Sequence, residues 1–96
     1  MALVHSYRMI AKPGSEDALG AALEALGEAA RAIAGSQGAT VLRDRKEPQK
    51  FLFLEFWDSE ESRKAAGSQL PKEVMGRIMA ALGGPLQMAD YDRVAG

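Results

Sequence analysis

The sequence predicts a single α+β domain, residues 1–96, in the order strand, helix, strand, strand, broken helix, strand. Three observations carry this expectation. Four short stretches are rich in strand formers, two amphipathic stretches carry helix-start signals, and a chain of 96 residues has room for one core only. Residues 3–11 hold Val4, Tyr7 and Ile10 among β-tolerant neighbours, and Pro13-Gly14 punctuates them, so they read as the first strand. Ser15 follows as an N-cap whose hydroxyl can accept from orphan amides, and Glu16 and Asp17 occupy a first turn where the helix dipole favours negative charge. Leu19, Leu23, Leu26, Ala30 and Ile33 then line one helical face, opposite Glu24, Glu28 and Arg31, and Gly35 supplies the stop. Gly20 and Gly27 inside this helix each cost about 1 kcal/mol relative to alanine, so it needs its packed face, or close approach to a neighbour, to persist.

Residues 38–44 and 51–57 read as a hairpin joined by the polar stretch 45–50. The second arm, Phe51-Leu52-Phe53-Leu54-Glu55-Phe56-Trp57, is apolar on both faces, the pattern of a central strand covered on each side. Asp58-Ser59-Glu60-Glu61 repeats the cap and acidic first turn, while Gly67 and Pro71 break this second helix and restart it. Val74, Met75, Ile78, Met79 and Leu82 make the restarted part amphipathic; Gly83-Gly84-Pro85 closes it, and residues 86–94 form the last strand. Right-handed crossovers then put strands one and three in the centre, four beside one and two beside three, with both helices on one face. This is the ferredoxin-like, split βαβ arrangement. A sheet bearing either Leu52, Leu54 and Phe56 or Phe51, Phe53 and Trp57 on its uncovered face predicts a partner, and a two-fold homodimer with sheets back to back covers that face most simply.

Composition narrows the chemistry. Twelve Lys and Arg balance thirteen Asp and Glu, for a net charge of -1, so no footprint for nucleic acid or an anionic membrane exists. With no cysteine and one histidine, disulfides, thiolate zinc sites, iron–sulfur clusters and multi-histidine metal sites are all excluded. The amino terminus has no basic start followed by an apolar run, and the alanine-rich residues 18–34 are interrupted by Glu24, Glu28 and Arg31, so a cytoplasmic protein without a membrane span is expected. Phosphate loops, serine nucleophile elbows and recognisably spaced carboxylate pairs do not occur.

The ordered set Lys12-Pro13-Gly14, Gly35, Arg43-Asp44, Pro48, Phe51, Glu55, Trp57, Ser59-Glu60-Glu61 and Tyr91 resembles the antibiotic biosynthesis monooxygenase family of dimeric α+β barrels, over residues 3–94. The resemblance implies a homodimer of ferredoxin-like subunits, each with a small apolar cavity between sheet and helices. The family includes cofactor-independent oxygenases of quinols and polyketide aromatics, haem-degrading enzymes and members without a known reaction. Many members carry a histidine nine residues after the strand-three tryptophan, and here that residue is Ala66. The residues typical of haem degradation are replaced by Tyr7, Ala66 and Gly76, so the resemblance excludes that reaction. Against the actinorhodin-pathway type, Trp57 matches the active-site tryptophan, Pro71 the helix-breaking proline and Arg77 the pocket arginine, whereas Phe53 and Arg63 replace its asparagine and tyrosine.

A cofactor-free oxygenase makes its substrate the reductant and needs a base, an anion stabiliser and a dry aromatic pocket. His5 has the side chain suited to a base near neutrality, and Arg77 suits an enolate or phenolate oxygen. These two are the candidate catalytic residues. Tyr7 shares the face of His5 and can orient a substrate oxygen, while Phe53 and Trp57 are the candidate flat contacts for an aromatic substrate. Glu55, charged within a central strand, calls for an ion-pair partner, with Arg8 or Arg43 on the neighbouring strands as suppliers. The function expected is cofactor-independent oxygenation of a small aromatic or quinol-like molecule; the alternative is a non-catalytic ligand-binding or structural homodimer of the same fold.

Overall fold

The computed structural model describes residues 2–96. The elements are β1 (Leu3–Ile10), α1 (Glu16–Arg31), β2 (Ser36–Arg43), β3 (Lys50–Trp57), α2 (Glu60–Ala66), α3 (Lys72–Ala81) and β4 (Gln87–Asp92). Every strand pair is antiparallel, and the sheet order is β2-β3-β1-β4, the arrangement that right-handed crossovers dictate. The fold is therefore ferredoxin-like α+β, with the second helix split into α2 and α3 around Gly67 and Pro71.

Local chemistry explains most element ends, with one correction. Ser59 is extended (φ -158°, ψ 165°) and its hydroxyl accepts from the Ser62 amide at 3.1 Å, as a capping serine does. Ser15 does not cap α1 with its side chain: at φ -107° and ψ 12° its hydroxyl makes no bond to the following amides. Its backbone closes the turn instead, donating to Lys12 O at 2.9 Å and accepting from Leu19 N at 2.9 Å. At the far end of α3, Lys12 N donates to Ala81 O at 2.9 Å and Gly83 N to Ile10 O at 2.6 Å, which ties that helix to the end of β1.

The core lies between one face of the sheet and the helices. Along β3 the residues alternate, with Phe51, Phe53, Glu55 and Trp57 buried and Leu52, Leu54 and Phe56 only half-buried. Leu19, Leu23 and Leu26 of α1 and Ile78 of α3 complete the packing, each such side chain contributing about 1.5–3 kcal/mol of burial free energy. Gly20 shows the close approach that its place in a helix demands: a Cβ built there would stand 3.5 Å from the Phe51 ring.

The opposite face carries no helix. Ile10, Leu42 and Tyr91 are 47%, 47% and 50% exposed there, beside the half-buried row of β3. Two concavities stand out, and both lie on this side; the larger, about 520 Å³, is lined by Arg8, Ile10, Leu42, Leu52 and Gln87 among others. Under the helices, where the family resemblance implies a cavity, Phe53 and Trp57 are fully buried. Among the described residues, no helix is long and apolar enough to cross a membrane.

Candidate functional site

The strand register brings three ionisable groups into one row. His5 of β1 lies opposite Glu55 of β3 on one side and opposite Asp90 of β4 on the other, so all three project to the helix-bearing face. His5 is buried, and its Nδ1 donates to Asp90 Oδ1 at 2.5 Å. That bond fixes the ring, and with Nδ1 occupied the lone pair falls on Nε2. Asp90 is 48% exposed, because β4 is an edge strand without a helix over it, so the row opens to solvent at this border.

Tyr7 stands next in line. Its ring meets that of His5 edge-on at 4.6 Å and 84°, and meets Phe53 at 5.9 Å. Burial, reinforced by the negative field of Glu55, holds the Tyr7 hydroxyl well above its usual pKa, so at neutral pH it is a proton donor and not a phenolate. Tyr7, Phe53 and the exposed Met88 form the next row of the same face, which gives the charged row an apolar and aromatic flank.

Glu55 is 2% exposed and does not pair with Arg8 or Arg43, contrary to expectation. Arg8 alternates to the uncovered face, opposite Leu52; Arg43 sits over the Phe51 ring and donates to Pro48 O at 2.6 Å. Glu55 Oε1 instead accepts from Trp57 Nε1 at 3.1 Å, and Oε2 has no partner among the described residues. Burial raises this carboxyl above its ordinary value, while the Trp57 bond and the positive fields of His5 and Arg63 oppose the shift. Arg63 comes from α2, with its Nε 3.8 Å from Asp90 Oδ1.

Of the candidates named from sequence, His5, Tyr7 and Phe53 come together. Trp57 lies in the same face but is fully buried with its ring N–H engaged by Glu55. Arg77 is exposed on α3, outside this group. The sequence pattern did not single out Asp90, and it marked Arg63 only as a replacement. Asp90 carries one usable signal: an acid in the last strand, which the fold puts beside the strand of the lone histidine. Among the described residues no cluster of three or more His, Cys, Asp or Glu side chains has a metal-holding arrangement.

Residues 1–69 match the sequence profile of antibiotic biosynthesis monooxygenases. The chain belongs to the antibiotic biosynthesis monooxygenase family. Among solved structures, this family member is similar to a Chloroflexus aurantiacus protein described as a putative antibiotic biosynthesis monooxygenase, at 30% identity and TM-score 0.83, covering 100% of this chain and 96% of that one. Two further structures share the fold. Rv0793 from Mycobacterium tuberculosis is 16% identical with TM-score 0.85, covering 100% of this chain and 98% of its own. SnoaB from Streptomyces nogalater, a cofactor-independent oxygenase, is 12% identical with TM-score 0.86, covering 99% and 95%. No curated protein sequence matches this family member.

Proposed function

We propose that this protein is a cofactor-independent monooxygenase of a small aromatic or quinol-like molecule, with His5 as the base. The observation that carries the reading is the His5–Asp90 pair, set against Tyr7 at the solvent-open border of an otherwise closed core. A phenolic O–H or doubly benzylic C–H gives its proton to His5 Nε2, and Asp90 stabilises the imidazolium that forms. The Tyr7 hydroxyl donates to the substrate oxygen as charge builds on it. Phe53, packed against Tyr7, and Trp57, whose ring N–H holds Glu55, back the site from inside the core and support the residues that meet the substrate. The carbanion passes one electron to dioxygen, the two radicals join in a C–O bond, and the peroxide takes up a proton and loses water as the second C–H breaks. An anthrone CH₂ and one O₂ thus become a carbonyl and one H₂O. Arg77, exposed on α3, has no step in this reading.

Ala66, buried where many relatives carry a histidine, favours the second reading, a binder without chemistry. Oxygen uptake with anthrone and 1,4-naphthohydroquinone separates the two. The oxygenase reading expects uptake well above the buffer rate, reduced about 10²–10⁴-fold in His5→Ala, the usual worth of a general base. Uptake at the buffer rate in both proteins leaves the binder. The uncovered sheet face also supports a homodimer as the working unit.

A further inference from the structure

We propose that Arg63 holds the ionised oxygen of the substrate, a planar phenolate or enolate, through its Nε–H. The inference rests on the reading of the His5 border as an aromatic site, and deepens it by naming the ionisation state that the site selects.

Among the described residues, two buried side-chain atoms lack a hydrogen-bond partner, Arg63 Nε and Glu55 Oε2, and both belong to this cluster. A buried donor left unpaired is destabilising, so one that persists beside a solvent-open border is a ready partner for an incoming acceptor. Asp90 does not satisfy this donor: its Oδ1 lies 3.8 Å from Nε, beyond hydrogen-bond range, and already receives His5 Nδ1 at 2.5 Å. The backbone that carries Arg63 is fixed, since Ser59 caps α2 and Arg63 N donates to Ser59 O at 3.3 Å. The positive field of Arg63 also acts on the Tyr7 hydroxyl and favours negative charge there, so a substrate oxygen beside Tyr7 lies in the same field.

Charge balance gives this arrangement a purpose. The ionisable groups that face one another are Asp90, Glu55, His5, Tyr7 and Arg63. Before reaction, Asp90 and Arg63 offset each other across 3.8 Å while burial drives Glu55 toward its neutral acid. Once a substrate proton moves to His5, the imidazolium pairs with Asp90. Arg63 is then released to the substrate oxyanion, and the site holds two ion pairs in place of one. An exposed arginine on another helix cannot make that exchange.

The test uses two probes of one shape, 2-hydroxy-1,4-naphthoquinone, an anion at neutral pH, and neutral 2-methyl-1,4-naphthoquinone, titrated calorimetrically into the intact protein. The wild type is expected to prefer the anion by about tenfold or more, the worth of one charge-assisted hydrogen bond. Arg63→Gln loses that preference and binds the neutral probe within about twofold of wild type; Arg63→Lys, which keeps the charge and covers poor folding of the glutamine variant, retains part of it. A purely structural arginine would weaken both probes alike, and that result overturns the proposal. So does an anion preference that survives Arg63→Gln, or one that disappears with Arg77→Gln instead. Failure of the folded wild type to bind either probe overturns the aromatic-site reading itself, and the role of Arg63 with it.

Discussion

Glu55 shows how one buried side chain ties stability to pH. Its carboxyl is raised above the ordinary 4.5 first by burial, against the opposing pull of Trp57, His5 and Arg63. A pKa raised by folding means that the folded chain binds the proton more tightly than the unfolded one. The stability linked to that proton is therefore fully present below about pH 4.5 and is lost as pH rises through the folded-state value. Glu55→Gln removes the ionisation yet keeps an oxygen for Trp57 Nε1. The variant is expected to melt higher than wild type at pH 8 by an amount on the order of 1 kcal/mol, about 4–8 °C for a domain of this size, with the gap closing at pH 4. Thermal melts across that range decide the matter, and an equal gap at both ends would show that folding does not raise the Glu55 carboxyl. The sequence made His5 and Tyr7 legible as neighbours because residues two apart on a strand share a face. Asp90 and Arg63 were not legible, because their approach to His5 depends on the register of β4 and on where α2 crosses the sheet edge, and both are set by tertiary packing.

At the scale of elements, helix and strand order followed from period and punctuation, while the details that escaped depended on dihedral angles. Ser15 and Ser59 look alike in sequence, each a serine before an acidic turn. Only Ser59 has the extended backbone that lets its hydroxyl reach back to the helix. Gly35, predicted as the helix stop, instead lies in the loop beyond it, since α1 ends at Arg31 with Ala32 as its C-cap. Its φ is +89°, and a Cβ there would collide with the Ser62 side chain and stand 2.9 Å from Asp58 Oδ1, where β2 begins under α2. Gly35 O also accepts from Asp58 N at 2.9 Å, so the loop cannot move aside without losing that bond. Gly35→Ala is expected to cost about 2–4 kcal/mol from strain and overpacking combined. Gly76 offers the opposite case: it lies within α3, exposed, and an added methyl group would meet nothing within 4 Å. Gly76→Ala is expected to gain about 0.5–1 kcal/mol from helix propensity alone. Denaturant melts of the two variants measure both signs, and a neutral Gly35→Ala would mean that α2 shifts freely over β2.

For the whole molecule, the uncovered sheet face is the feature that reaches furthest. A 10.3 kDa chain has little core to spare, yet this one leaves Ile10, Leu42 and Tyr91 about half exposed beside the half-buried Leu52, Leu54 and Phe56. The apolar alternation of β3 foretold such a face, although the sequence did not settle which side of the strand it would be; the burial of Phe51, Phe53 and Trp57 on the helix-bearing side assigns it to the even-numbered residues. Burying this row against a second copy adds core that the single chain lacks, at about 25 cal/mol per Å² of apolar surface removed from water. The row is also separate from the site: His5, Tyr7 and Glu55 lie on the other face, so assembly and ligand binding can be perturbed independently. Light scattering is expected to give about 20 kDa for the wild type, twice the chain mass. Leu54→Asp, which puts a charge in the middle of the row, is expected to give a species near the single-chain mass with a lower and concentration-independent melting temperature. A wild type that runs as a stable single chain, melting at the same temperature over a hundredfold range of concentration, would show that the sheet tolerates water on that side and needs no second copy.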